Sequence, residues 1–362
     1  MKILYVIGSR LMSGCEDHLF DLARWFRGHG VDPVFVLRAG SQLQEKLEAS
    51  GIRCYPAFIP GNKAGLPFRI AQAISAEKPD VISVNREHNI LPSVAGMVLS
   101  LPFVGRRPKM VAVFHTPTGR WYPGLGRFDG IIGTSEYTAG SFVRANPGIR
   151  SRTEVIRYGI TLPAADAAAK RDRDRPRRFF RDRKFPVIGM VGELWKNQEE
   201  LVDIAPALVE RFPDITIAII GGYEGGDLLR QKIAASRLED HFVLTGRVAR
   251  ESIPDVFFDL DLSVSTHRNE GFGIVHIESL AAYTPVVAYN SGGLVEILEK
   301  GGGVLVDGAV PEFAAAVVDL LQDDDQRMAL GEEGRHVVEK NFSVDAMGQQ
   351  HLEFYRKIVG EK

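Results

Sequence analysis

The chain has 362 residues, of which 45% are apolar and 25% charged, a balance expected of a soluble globular protein large enough for two domains. Lys and Arg number 44 against 46 Asp and Glu; a net charge of −2 excludes whole-molecule steering toward nucleic acid or membrane and leaves only local charge to weigh. Two cysteines, Cys15 and Cys54, exclude a disulfide framework and a cysteine-based metal cluster, and fit a reducing compartment.

The opening MKILYVIGSR lacks the long apolar core of a signal peptide and predicts a buried strand over residues 3–7. A turn-rich loop, GSRLMSG, leads to a helix from about residue 15, with Leu19, Leu22, Ala23 and Phe26 on one face. Strands follow at 34–37, 53–58, 81–84, 110–114, 131–134 and 153–156, with helices near 43–49 and 68–76. The apolar run 89–104, interrupted by two prolines, falls short of a membrane span and predicts a buried helix. The second half repeats the plan: strands at 185–191, 216–220, 242–244, 262–265, 286–288 and 303–306, with helices at 198–210, 227–235, 273–283 and 294–299. Alternating strands and helices without a fixed repeat period predict two similar α/β domains with parallel sheets. The expected division is a first domain over 1–162, a basic linker over 163–184 and a second domain over 185–345. An amphipathic helix from about 346 is expected to cross back onto the first domain.

Nine basic residues lie among the fifteen of 170–184. Such a block reads as a solvated linker, or as a local attraction to anionic headgroups or a phosphate-bearing acceptor. Proline and several aspartates dilute it.

The most informative segment is NEGFGIVHIESLAAYTPVVAYNSGGLVEI, 269–297, placed after a strand where open α/β sheets hold ligands. Gly271 and Gly273 flank Phe272 and permit close backbone approach. A helix then opens with its free amides toward the same crevice. Glu270 stands at the mouth and Glu278 farther along the helix, roughly 7 Å down its axis. A second glycine turn, Ser291-Gly292-Gly293, opens another helix beside the same sheet edge, and two amide-rich helix starts suit a pyrophosphate.

On these residues the chain resembles the retaining glycosyltransferases of family four, whose GT-B fold sets two facing Rossmann-like α/β domains about a cleft. The resemblance spans nearly the whole chain, with 163–185 matched least. Its most specific part is E-x7-E, Glu270 to Glu278, in the form EGFGxxxxE followed by AAYTPVVA and GG. Looser matches are SGCE at 13–16, where the family usually has GG-x-E, VFHTP with His115 at the strand-end histidine, VIRYGI, and GELWKNQ with Lys196 at the phosphate-binding lysine. One departure stands out: Glu193 occupies the position where the family usually has arginine, with Arg247 and Arg268 as alternative cation sources.

The resemblance implies a sugar transferred from a nucleoside-diphosphate sugar to a hydroxyl of a saccharide or lipid-linked acceptor, without metal or other cofactor. Glu278 would take the ribose hydroxyls; Lys196 and amides near Gly292 and Gly293 would hold the diphosphate, with Gly14 completing the cradle. Glu270 and the backbone of Gly271–Gly273 would hold the sugar, and His115 would hydrogen-bond sugar or phosphate. Phe114 and Trp121 are candidates for an acceptor wall, with core packing the better reading of Phe114. His88 has no visible partner. No nucleic-acid partner is expected; the expected place is cytoplasmic, with peripheral contact to an anionic membrane through 170–184. The rival readings are a GT-B epimerase and a catalytically weakened nucleotide-sugar-binding subunit, the latter motivated by Glu193. A phosphorylase would need a longer chain with a cofactor lysine, and an oxidoreductase would need a full G-x-G-x-x-G that neither half contains.

Overall fold

The computed structural model describes residues 1–9, 12–58, 65–164, 170, 177–183, 185–222 and 226–361. The chain divides into one unit of Met1–Thr161 with Ser343–Lys362, and a second of Leu162–Phe342.

In the first unit, β1 (Lys2–Ile7), β2 (Asp32–Arg38), β3 (Arg53–Phe58), β4 (Val81–Asn85), β5 (Lys109–Phe114), β6 (Gly130–Gly133) and β7 (Thr153–Val155) form a parallel sheet in the order β3-β2-β1-β4-β5-β6-β7. Runs such as Val-Ile-Ser-Val-Asn in β4 are buried throughout because helices cover both faces of a parallel sheet. One core holds Leu4, Val34, Ile82 and Met110; the other face holds Ile3, Tyr5, Phe35 and Val111. The first helix, Gly14–Gly28, starts on a capping box in which Ser13 N donates to the Glu16 carboxylate at 3.0 Å.

The helix Val344–Val359 belongs to this unit. Ser343 caps it, accepting from Ala346 N at 3.2 Å. Met347, Leu352, Phe354 and Tyr355 enter the core beside Tyr5, and Trp25 Nε1 donates to Asp345 at 2.7 Å.

The second unit repeats the topology with β8 (Val187–Val191), β9 (Thr216–Ile220), β10 (Phe242–Gly246), β11 (Leu262–Ser265), β12 (Val286–Tyr289) and β13 (Gly303–Val306), in the order β10-β9-β8-β11-β12-β13. In each sheet the first strand lies inside and the chain order reverses beside it, at β1/β4 and at β8/β11. These switch points, at the carboxyl ends of the strands, are where open α/β sheets bind ligands.

Two expectations need correction. The run 89–104 forms a helix, Ile90–Ser100, and a turn, Leu101–Phe103, but is buried on one side only: Ile90, Val94 and Met97 face the core, whereas Leu91, Val98, Leu99, Leu101 and Phe103 are exposed. The basic block, of which 171–176 and 184 lie outside the described residues, is not simply a solvated linker. Lys170 is buried, its ammonium donating to the carbonyls of Phe257, Phe258 and Leu260 and to Thr284 Oγ1. Arg177 is buried too, paired with Asp261 at 2.7 Å and donating to the Asp259 carbonyl. The reason is electrostatic: the helix Ile253–Asp259 ends there, and its unsatisfied carbonyls and negative dipole end attract cations.

Candidate functional site

The residues around β8 and β11 form the densest group of charged side chains at the second unit's switch point. After β8 the chain runs Gly192-Glu193-Leu194-Trp195-Lys196-Asn197. This loop is fastened to the end of β11: Asn197 Nδ2 donates to the Thr266 carbonyl at 3.2 Å, and Thr266 Oγ1 returns a bond to the Asn197 carbonyl at 2.7 Å. Lys196 is thereby held beside Glu270, Nζ to Oε2 at 2.6 Å, with only 16 and 12% of the two side chains exposed. Burial pushes the Glu270 carboxyl up, but the Lys196 ammonium, through its charge and its hydrogen bond, opposes it, and the group is held below its ordinary value. His276 is buried and pushed down to about 4, chiefly by that burial, so it stands neutral beside the pair.

The glycines around Glu270 have specific geometric tasks. Gly273 has φ +96° and caps the helix Ile274–Ala281; a Cβ there would lie 2.6 Å from His276 and 3.2 Å from Glu270 Cγ. Gly292 has φ +71°, and a Cβ there would lie 2.8 Å from the Glu270 carbonyl oxygen. The Gly293 amide donates to that carbonyl at 2.7 Å, so in this structure it holds the Glu270 loop, and Gly271 N donates to Glu270 Oε1 at 3.2 Å. Phe272 turns its ring inward against Phe342, centroids 5.7 Å apart, leaving its backbone as the part available to a ligand.

Three further carboxylate–cation pairs surround this centre. Glu278 is buried on the Ile274–Ala281 helix and ion-paired with Arg250. Arg250 was not singled out in the sequence; its position just beyond the carboxyl end of β10 was the available signal. Glu193 pairs with Arg247 at 2.8 Å, which brings a guanidinium to the position where the family usually has arginine. Arg268 points elsewhere: its two terminal nitrogens bind Glu200 at 2.8 and 3.1 Å, and its guanidinium lies 3.6 Å over the Tyr289 ring. Of the two alternative cations, Arg247 is therefore the one beside Glu193. Among the described residues, no group of three or more His, Cys, Asp or Glu side chains is arranged as a metal site.

In the first unit, Gly14 opens the helix after Ser13, and His115 follows the end of β5. His115 Nε2 lies 3.1 Å from Asn85 Oδ1 and Nδ1 lies 2.5 Å from the Tyr158 hydroxyl. Its ring donates to the amide oxygen and accepts from the phenol, the neutral tautomer that satisfies both partners. Burial, then the Arg86 charge and His351, push it down to about 3. Arg86, also missed in the sequence, has φ +71° at the end of β4 and pairs with buried Glu16 at 3.0 Å. Phe114 is core, stacked on Phe142 at 4.3 Å, and Trp121 is exposed.

Comparison with known proteins gives this geometry its context. Two family models match: Glycosyltransferase Family 4 over residues 12–162 and Glycosyl transferases group 1 over 171–337. The D-inositol 3-phosphate glycosyltransferase of Corynebacterium urealyticum is 35% identical over 186 residues, 48% of this chain and 43% of the relative. The GDP-mannose-dependent alpha-(1-6)-phosphatidylinositol monomannoside mannosyltransferase of Mycobacterium tuberculosis is 30% identical over 241 residues, 63% of this chain and 62% of the relative. The chain thus spans less than two thirds of the length of these relatives. Among solved structures, Anabaena Alr3699/HepE, crystallised with UDP and glucose, superposes with a TM-score of 0.79 at 24% identity, covering 98% of each chain. With both units accounted for, the chain belongs to the group 1 glycosyl transferases of glycosyltransferase family 4, built on the GT-B plan of two Rossmann-like domains.

Proposed function

We propose that the chain transfers a sugar from a nucleoside-diphosphate sugar to a hydroxyl of a saccharide or lipid-linked acceptor, with retention at the anomeric carbon and without a metal. The observation that carries this reading is the buried Lys196–Glu270 pair at the β8/β11 switch point, with Glu278 on the helix that follows. A diphosphate needs cations, a ribose needs a hydrogen-bond acceptor, and a sugar ring needs a carboxylate held close to its hydroxyls. These groups occur in one place here.

In this mechanism Lys196 keeps one donor on Glu270 and offers others to the diphosphate, with Arg247 adding positive charge. Glu278 exchanges Arg250 for the ribose hydroxyls. As the anomeric C–O bond breaks, the electron pair departs on the phosphate oxygen, where preorganised donors stabilise it most. The acceptor oxygen bonds to the same face of the anomeric carbon and its proton passes to that phosphate oxygen. Glu270 orients sugar hydroxyls and forms no bond to carbon. The names of the relatives support a nucleotide donor of this kind: one is GDP-mannose-dependent and another was crystallised with UDP.

Glu193 favours a second reading, a binding subunit with little turnover, because a carboxylate in that position repels phosphate. Arg247 offsets that charge. The test is incubation with UDP- and GDP-sugars, with and without EDTA, following released nucleotide and the product's anomeric configuration. Retained configuration undiminished by EDTA is expected; tight nucleotide binding without hydrolysis or transfer would establish the binding-only reading instead.

A further inference from the structure

Helix Ile90–Ser100, Ile-Leu-Pro-Ser-Val-Ala-Gly-Met-Val-Leu-Ser, carries no charged residue. A helix apolar on every side is ordinarily buried on every side. This one is not. Ile90, Val94 and Met97 fill the core, but Leu91, Val98 and Leu99 recur at the spacing of a single helix face and point outward. The turn Leu101–Phe103 extends that face with two more apolar side chains, and these five residues are between 41 and 67% exposed. The loop carrying exposed Trp121 borders the start of the helix, since a Cβ on Gly124 would lie 3.3 Å from Leu91.

Charge identifies the occupant. From Glu87 to Asp129 the intervening sequence contains no acidic residue, but it contains Arg106, Arg107, Lys109, Arg120 and Arg127. Arg106 and Arg107, both exposed, follow the apolar turn after Val104 and Gly105. Asp80 pairs with Arg106, and Asp129 with Arg107 and Lys109, so acids at the border neutralise part of this charge and leave an excess of cations. Apolar side chains rimmed by arginines match an interface of acyl chains below anionic headgroups. At eleven residues the helix is about 16 Å long, about half a bilayer core, and no helix among the described residues is long and apolar enough to cross a membrane. It would lie along the surface.

We propose that the face formed by Leu91, Val98, Leu99, Leu101 and Phe103, with Arg106 and Arg107, docks the chain on an anionic lipid bilayer. This surface lies in the first unit, apart from the basic block at 170–184, where Lys170 and Arg177 are consumed by the protein itself. The proposal does not depend on the catalytic reading.

The test is co-sedimentation of the full chain with vesicles of phosphatidylcholine alone and with one-third phosphatidylglycerol. Partition into the anionic vesicles only, weakening with salt, is expected. Leu99→Glu or Phe103→Glu should abolish it, and Arg106→Gln or Arg107→Gln should each weaken it about fivefold. Melting temperatures identify any variant that has lost its fold, and Phe103→Ser then serves as the milder probe. Absence of partition, equal partition into neutral vesicles, or partition untouched by the Phe103 variants would each overturn the proposal. So would a dimer that the same substitutions dissociate in a chain that ignores lipid, which would make a second copy the occupant.

Discussion

The two sheets share one strand order, yet their switch points differ in how much charge they carry. At β8/β11 the side chains are charged and paired: Lys196 with Glu270, Arg247 with Glu193, Arg268 with Glu200, and nearby Arg250 with Glu278. Beside β1, β4 and β5 the corresponding region holds one such pair, Arg86 with Glu16, among neutral rings. His115, His351 and Tyr158 gather around His18, whose ring lies 4.5 Å from the phenol ring and 5.8 Å from His351. Burial is the main force lowering all three, His115 and His351 to about 3. Topology thus decides where a site forms, while the residues at the strand ends decide what it can hold. The charged end suits a polyanion whose charge grows during reaction; the neutral end suits hydrogen bonding.

The sharpest way to break this contrast is to remove a charge from the first end. Lys196→Met should lower turnover by about 100-fold and stability by about 3 kcal/mol, because Glu270 is left buried without its partner. Adding Glu270→Gln should restore part of the stability and none of the turnover. Equal stability of wild type and Lys196→Met would mean that the pair is solvated and that the charged end is not preorganised.

Acid probes the neutral end. The unfolded histidines take up protons below about pH 6.5, whereas the buried rings resist until about pH 3. The folded state is therefore disfavoured as pH falls through that window, and its stability is complete above it. The melting temperature should drop steadily on acidification, and His351→Leu should flatten the slope more than His276→Leu, since three buried histidines cluster in the first unit. A slope unchanged by either substitution would assign the acid response to carboxylates.

The arginines supply the smallest effects. Arg247→Ala should slow turnover by about tenfold, as loss of one exposed cation near the leaving group. Arg268→Ala should cost about 1 kcal/mol of stability and leave turnover nearly intact, because its guanidinium serves Glu200 and Tyr289. The reverse ranking would exchange their roles.

Sequence periodicity located the strands well, since β4, β9 and β11 are unbroken buried runs bounded by polar residues or turns. It did not mark the helices Val310–Gln322 and Asp324–Asn341, the second of which carries few buried apolar residues. The E-x7-E element drew attention to Glu270 and Glu278, but not to what they touch. Glu270 meets Lys196 because β8 and β11 end side by side, and Glu278 meets Arg250 from beyond the more distant β10, relations that no local spacing encodes. The basic block misled for a related reason: charge density does not reveal that a helix terminus elsewhere in the chain will recruit Lys170. The apolar run at 89–104 predicted a helix correctly but not its exposure, because nothing in the sequence marks which apolar face goes uncovered.

On the proposed function, the second unit holds a nucleoside diphosphate through Lys196 and Glu278 without a metal. Its most direct test is thermal stabilisation by UDP, GDP and their sugars in EDTA, comparing wild type with Glu278→Ala. A nucleotide at 100 times its dissociation constant should stabilise the wild type by about 2.7 kcal/mol. Glu278→Ala should weaken binding by about 1.5–3 kcal/mol through loss of a charged hydrogen-bond acceptor. No stabilisation by any nucleotide, or equal stabilisation of the folded variant, would mean that Lys196 and Glu278 do not form a nucleotide site.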